Sequence, residues 1–173
     1  MDVAVGQMGV DGRSRPMILG VDPGRDKIGW AITTCDGDLF LSGICLISEQ
    51  ELFLTALAQE SRWEYELAPW VTEKANTSVL RPEKLSLVAV GNGTGSQEAA
   101  KLFVRLGIQV VVVDESGTTL EARGLYWSLH APSWWQRCLP RVMWYPSRPL
   151  DDLAAWAIAR RNLGVSRYNQ NRP

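Results

Sequence analysis

The sequence predicts an α/β fold in which helices cover both faces of a mixed five-stranded sheet. Three apolar runs separated by short polar turns open the chain, and a strand–helix–strand spacing follows them. The chain has 173 residues, of which 46% are hydrophobic and 21% are charged. A chain of this size and composition buries a large core without disulfides or structural metals, which excludes collagen-like and wholly disordered classes.

The three apolar runs at the start of the chain are expected to form an antiparallel meander. Pro23-Gly24 turns the chain after the first run, and the Asp-Gly pair at residues 36–37 is a hairpin signal after the second. Sequential strands joined by such short turns pair antiparallel. The predicted strands are residues 17–21, 28–34 and 39–47.

The next segment begins with a helix signal and then loses its regularity. Ser48 and Glu51 have the spacing of a capping box, which predicts a helix from this point to about residue 60. Residues 62–83 are predicted to be a helix end followed by an irregular segment, because Pro69 and Pro82 interrupt any long helix.

The second half of the chain is expected to add a parallel strand–helix–strand unit and two further helices. Ser96 is placed to cap the helix of this unit, and Gly107 is placed to end it. Strands joined through a helix at this spacing lie parallel. The predicted elements are strand 85–90, helix 97–106, strand 108–113, helix 118–129, loop 130–149 and helix 150–163.

A single domain is predicted over residues 17–164. Residues 1–16 have no hydrophobic period and are expected to form a disordered tail, and residues 165–173 are expected to form a polar C-terminal tail. The sequence shows neither a signal-peptide pattern nor an apolar run of the roughly 20 residues that a membrane span needs. Because the three cysteines have no metal-binding spacing, we expect a cytoplasmic protein with free thiols and no membrane partner.

Charge is distributed unevenly along the chain. The formal net charge is −1, but residues 120–173 hold eight arginines against three acidic residues, together with five of the eight tryptophans. Guanidinium groups and aromatic rings grip phosphates and stack on bases, so the loop 130–149 is predicted to contact nucleic acid. The alternative is that its rings pack on the sheet or on a second subunit. The residues singled out are Arg137, Arg141, Arg148, Trp134, Trp135 and Trp144.

Acidic residues stand at the ends of three predicted elements. Asp22 ends the first strand, Asp114 and Glu115 follow the fifth, and Asp151 and Asp152 begin the last helix. If these ends meet at one edge of the sheet, the carboxylates form an oxygen-rich site suited to Mg²⁺ or Mn²⁺, which promotes phosphodiester cleavage. Taken singly, each also has a structural explanation as a turn former or a helix N-terminus.

Four segments resemble, in order, the motifs of the YqgF/RuvC-like branch of the ribonuclease H-like superfamily. They are ILGVDPGRDKIG at 18–29, LVAVGNGTGS at 87–96, VDESGTTLEAR at 113–123 and LDDLAA at 150–155. The segment at 87–96 is most similar to the YqgF-like domain of Tex transcription factors. The four motifs span about residues 17–161, which is nearly the whole of the predicted domain. The resemblance implies a ribonuclease H-like fold and a metal-dependent nuclease, similar to Holliday junction resolvases or ribosomal-RNA-processing enzymes, whose partner is branched DNA or structured RNA.

The resemblance also assigns roles to residues. Asp22, Glu115 and Asp151 take the positions of the catalytic carboxylates that hold Mg²⁺ or Mn²⁺, and Asp152 is the alternative to Asp151. The glycine-rich turn can either cradle a substrate phosphate at the helix N-terminus or simply turn the chain. That turn contains Gly91, Asn92, Gly93 and Thr94.

Two rival interpretations stay open. Ser116 stands where the family usually carries Arg, which favours a catalytically weak or inactive nucleic-acid-binding module of the same fold. The other rival is an actin-like or sugar-kinase ATPase, which also opens with Gly-x-Asp-x-Gly but normally needs two such domains. A resolvase that cuts two strands symmetrically would require a homodimer.

Overall fold

The computed structural model describes residues 16–75, 84–140 and 143–170. Its strands are β1 (Met17–Pro23), β2 (Lys27–Thr34), β3 (Leu39–Leu46), β4 (Val71–Lys74), β5 (Leu85–Gly91) and β6 (Gln109–Val113). Its α-helices are α1 (Gln50–Leu57), α2 (Trp63–Glu66), α3 (Ser96–Arg105), α4 (Thr118–Leu129) and α5 (Asp151–Gln170). Within the described ranges, the six strands form one sheet in the order β4-β3-β2-β1-β5-β6.

The sheet is mixed, as predicted. β2 pairs antiparallel with both β1 and β3, which confirms the meander. β1 pairs parallel with β5, and β5 pairs parallel with β6, which confirms the parallel unit around α3. The α/β class is therefore correct.

The predicted number of strands is wrong, because the described part of the sheet has six strands rather than five. The additional strand, β4, pairs antiparallel with β3 at the sheet edge, where Leu41 lies opposite Lys74. It falls in the segment predicted to be irregular. An edge strand of four residues in which half-buried and exposed positions alternate contains no apolar run that would indicate it.

Helices cover both faces of the sheet. On one face, alternate residues of β1 such as Leu19 pack in a core with Trp30, Phe53 of α1, Trp63 of α2 and Phe103 of α3. On the other face, a second core contains residues of α4 and α5 against β2 and β3. A Cβ at Gly20 or Gly29 would overlap the backbone of α5, so these two glycines let the helix lie directly on the sheet.

Several predicted helix ends differ from the structure. A 3-10 turn over Ile47–Glu49 precedes α1, and no side chain caps either of them, so the capping box at Ser48 is wrong. Ser96 is the first residue of α3 rather than its cap, and Gly95 precedes it with a φ of 85°. The predicted C-terminal tail is helical as far as Gln170. Residues 1–15 and 171–173 of the predicted tails lie outside the described residues.

The cysteines were expected to be free thiols, and no segment was expected to cross a membrane. Cys35, Cys45 and Cys138 are free thiols. Burial, and then the charge of Glu49, raises the pKa of Cys45 to about 11, so this thiol stays protonated at neutral pH. No helix in the described ranges is both long enough and apolar enough to cross a membrane.

Candidate active site

The carboxyl ends of three neighbouring strands and the start of α5 meet at one edge of the sheet. Val21 of β1 lies opposite Val90 of β5, and Gly91 of β5 lies opposite Val113 of β6. The residues that follow these pairs therefore emerge at the same edge. On the other side of β1, Asp22 lies opposite Gly29 of β2, on which the backbone of Asp151 packs. We call Asp22, Glu115 and Asp151 the carboxylate cluster.

The charges of Glu115 and Asp151 act on Asp22 across this edge of the sheet. The pKa of Asp22 is raised from 3.8 to about 6, first by burial and then by the negative charges of Glu115 and Asp151. Lys27 acts in the opposite direction. The structure thus brings together the carboxylates that the sequence singled out from three distant segments, while their catalytic role stays a prediction.

The glycine-rich turn after β5 holds Glu115. A Cβ at either Gly91 or Gly93 would overlap the Glu115 carboxylate, so both positions must be glycine for the side chain to lie where it does. Asn92 Oδ1 accepts a hydrogen bond of 3.1 Å from the Glu115 backbone N–H. The glycines of this turn therefore make room for the Glu115 carboxylate. Contact of Gly91, Asn92, Gly93 and Thr94 with a phosphate stays a prediction.

Asp114 has a separate and local role. Its Oδ1 accepts hydrogen bonds from the Ser116 backbone N–H at 3.1 Å and from Ser116 Oγ at 2.8 Å. These bonds lower its pKa. Ser116 therefore stabilises the turn that leads from β6 into α4. It stands where the family that the four motifs resemble usually carries Arg.

Asp151 is paired with a cation that the sequence analysis did not single out. Lys27 Nζ lies 2.7 Å from Asp151 Oδ2, and the side chains are 36% and 28% exposed. Lys27 lies within the first motif, only five positions beyond Asp22. The short turn between β1 and β2 was the signal that could have indicated it, because that turn places Lys27 beside the end of β1.

Asp152, the alternative third carboxylate, does not belong to this cluster. Its side chain is fully buried, and Oδ2 accepts hydrogen bonds from Ser42 Oγ at 2.9 Å and from Thr72 Oγ1 at 2.6 Å. Arg148 donates to both of its carboxylate oxygens. A buried carboxylate with this many donors stabilises the fold, which favours Asp151 over Asp152 as the third residue of the predicted site.

Arg148 is part of the same buried network rather than a free phosphate ligand. It donates to Asp152 at 2.8 Å and also pairs with Glu73 of β4. Glu73 accepts a second bond from His130 Nε2 at 2.7 Å. Because His130 and Arg148 stand at the two ends of the loop 130–149, Glu73 anchors both ends, and we call Glu73, His130, Arg148 and Asp152 the loop clamp.

Other members of the predicted nucleic-acid loop have different surroundings. Trp134 and Trp135 are 81% and 53% exposed, and the Arg137 side chain is exposed with its Nε bonded to the Pro132 carbonyl. Trp144 packs edge-on against Trp127, with ring centroids 5.5 Å apart. Arg141 lies outside the described residues. Trp134, Trp135 and Arg137 are therefore exposed, and their contact with nucleic acid stays a prediction. Trp144 instead packs against Trp127 of α4.

The donor chemistry of the carboxylate cluster fits a hard divalent cation. The atoms that it offers to an ion are carboxylate oxygens. Glu115 Oε2 is buried and has no hydrogen-bond partner, and a cation would satisfy this acceptor. In the part of the chain that the structure describes, no group of three or more His, Cys, Asp and Glu side chains has the geometry of a metal site. Side-chain movement would be needed before all three carboxylates contact one ion.

Comparison with known proteins adds no assignment. Neither a scan against protein-family models nor a search of curated proteins gives a match for this chain.

Proposed function

We propose that this chain is a metal-dependent nuclease of the YqgF/RuvC-like branch of the ribonuclease H-like superfamily, acting on branched DNA or structured RNA. One observation carries the proposal: carboxylates from three distant segments lie close enough to help raise the pKa of Asp22 to about 6. Gathering like charges costs stability, and such an arrangement is typical of functional sites. The antiparallel meander followed by a parallel unit supports the fold assignment.

The backbone of each carboxylate residue is rigidly held, and side-chain movement would bring its oxygens to a shared ion. Asp22 is fixed in a central strand, Glu115 is fixed by the glycine turn, and Asp151 is fixed by the packing of α5 on Gly29. Mg²⁺ or Mn²⁺ held there would supply an activated water and stabilise the leaving oxygen of the phosphodiester. Rigid elements reduce the cost of organising such a site when substrate binds.

Substrate contact is proposed for the exposed part of the loop. Trp134 and Trp135 present open ring faces for stacking, and Arg137 presents a guanidinium group for phosphate. The loop clamp ties the loop to α5 through Arg148 and Asp152, next in sequence to Asp151. The loop clamp thereby holds both ends of the loop beside the first turn of α5.

The decisive experiment is a cleavage assay on labelled four-way junction DNA, duplex DNA and structured RNA with Mn²⁺ or Mg²⁺. We expect the wild-type chain to cut a structured substrate and Asp22→Asn to reduce cutting below detection. Asp38→Asn is the matched control, because Asp38 is an exposed carboxylate in the hairpin at the opposite end of β2. Full activity of Asp22→Asn would contradict the proposal.

A second candidate is a binding module of the same fold without useful catalysis. It is favoured by the absence of a three-carboxylate metal geometry among the described residues and by Ser116 in place of Arg. Strong, salt-sensitive binding without cleavage under either metal would select this candidate.

A further inference from the structure

We propose that Lys27 takes the place of a second metal ion, so that the carboxylate cluster binds a single divalent cation. The inference rests on the proposed nuclease function. Its starting observation is the 2.7 Å contact between Lys27 Nζ and Asp151 Oδ2, made between side chains that are both partly buried. An ammonium group at this distance neutralises the Asp151 carboxylate, which a second metal ion would otherwise need as a ligand.

The backbone holds Lys27 in this position. Lys27 is the first residue of β2, and its neighbour Ile28 lies opposite Pro23 at the end of β1. Two residues further on, Gly29 admits the backbone of Asp151. The lysine is thus fixed between the strand that carries Asp22 and the helix that carries Asp151, and its side chain reaches the start of that helix.

The charges of the site support one cation rather than two. Three carboxylates and one ammonium group leave two negative charges, which a single divalent cation neutralises. Two arginines are committed elsewhere, since Arg148 binds Asp152 and Glu73, and Arg161 binds Glu121 and the Asp114 carbonyl. Arg25 and Asp26 are both exposed in the turn before Lys27, and their opposite charges offset each other. Lys27 also acts electrostatically on Asp22, so its charge serves the whole cluster.

The ligands left for the cation are those that Lys27 does not engage. Glu115 Oε2 is buried and has no hydrogen-bond partner, and Asp22 is surrounded by negative charge. Asp22 and Glu115 would therefore hold the divalent cation, and Lys27 would neutralise the charge of Asp151. Lys27 is a positioning residue for Asp151 in this arrangement, and its remaining N–H groups can donate to a phosphate oxygen.

The test is the number of Mn²⁺ ions bound by the full chain without nucleic acid, measured by titration calorimetry and by the electron paramagnetic resonance signal of free Mn²⁺. We expect one ion for the wild type and for Lys27→Arg, which keeps the charge. We expect two ions for Lys27→Met and for Lys27→Gln, which remove it. Lys74→Met is the matched control with one ion, because Lys74 pairs with Glu64 away from the cluster.

The outcomes separate this inference from the proposed function. Two ions in the wild type, or one ion in both neutral variants, would overturn the role of Lys27 and leave the nuclease proposal standing. Absence of bound Mn²⁺ from every variant would overturn both. A thermal melt verifies that each variant is folded. The stoichiometry of the wild type decides whether the cluster binds one ion or two, and that of the neutral variants decides whether Lys27 is the cause.

Discussion

Asp151 and Asp152 are adjacent in the chain and have opposite surroundings. Asp152 is fully buried, and Ser42, Thr72 and Arg148 supply its hydrogen bonds. Asp151 is partly exposed, has Lys27 as its partner, and adds a negative charge that helps to raise the pKa of Asp22. A satisfied carboxylate stabilises the fold, whereas a carboxylate crowded by like charges is held at a cost that the fold must offset.

The helix separates the two residues. Successive side chains on an α-helix point about 100° apart, so the first turn of α5 can direct Asp151 to the end of β1 and Asp152 to β3 and β4. Asp152 therefore joins the loop clamp, while Asp151 joins the carboxylate cluster. Two neighbouring positions thereby connect the proposed substrate loop to the proposed metal site through a single helix turn.

The largest effect should come from Asp152→Ala. We expect a loss of about 3–5 kcal/mol of unfolding free energy, because the substitution removes the shared acceptor of Ser42 and Thr72 and leaves the partly buried Arg148 with Glu73 as its remaining charge partner. Asp151→Ala should cost less than about 1 kcal/mol, since its partner Lys27 is partly exposed and remains solvated. Urea unfolding of both variants measures the difference. Equal losses for the two alanine variants would contradict the division between a structural and a functional carboxylate.

A smaller effect is expected from Gly29→Ala, which disturbs the seat of the first turn of α5. The added methyl group would overlap the Asp151 backbone, and overpacking of this kind typically costs about 1–3 kcal/mol. It should also weaken Mn²⁺ binding, because Asp151 moves with the helix. Gly124→Ala is the control, since nothing lies near that position within α4, and we expect it to raise stability by roughly 0.5–1 kcal/mol. Unchanged stability of Gly29→Ala in urea would show that α5 is not seated on this glycine.

The sequence indicates the three acidic segments that meet at this edge of the sheet, and the reason is local. Asp22, Glu115 and Asp151 each stand at the end of an element that its own hydrophobic pattern indicates, and strand ends in a sheet converge by topology. The meander and the parallel unit follow from turn lengths for the same reason. Short-range patterns thus predict both the layers and the edge at which the site forms.

The choice between Asp151 and Asp152 could not be predicted, because it depends on distant partners. Ser42 and Thr72 reach Asp152 from 110 and 80 positions away, and Thr72 belongs to the edge strand that has no apolar run. Arg148 was predicted to be a phosphate ligand for the same reason, since its partner Glu73 lies 75 positions away. Pairing between remote polar groups leaves no periodic trace in the sequence.

The smallest effect on stability is expected from Asp22→Asn. It tests whether the Asp22 carboxylate, unlike that of Asp152, is held at a cost to the fold. Asp22 has a pKa of about 6 in the folded chain against 3.8 without its surroundings. Between these values the folded state binds more protons than the unfolded state, so stability falls as pH rises through this window and stays lowered above it. Removing the charge should therefore raise stability at pH 7.5 by on the order of 1 kcal/mol, after allowance for solvent screening, and change it little at pH 3.5.

Urea unfolding at the two pH values, in the presence of a chelator, measures this gain. Addition of Mn²⁺ should then reverse the order of the two proteins, because the wild type gains stability from the bound ion and Asp22→Asn gains much less. A variant that is less stable than the wild type at pH 7.5 without metal would show that the Asp22 carboxylate is satisfied by the fold, as Asp152 is. Suppose that Asp22→Asn is more stable than the wild type without metal and less stable with Mn²⁺. The wild-type fold then carries a charge repulsion that a bound cation relieves.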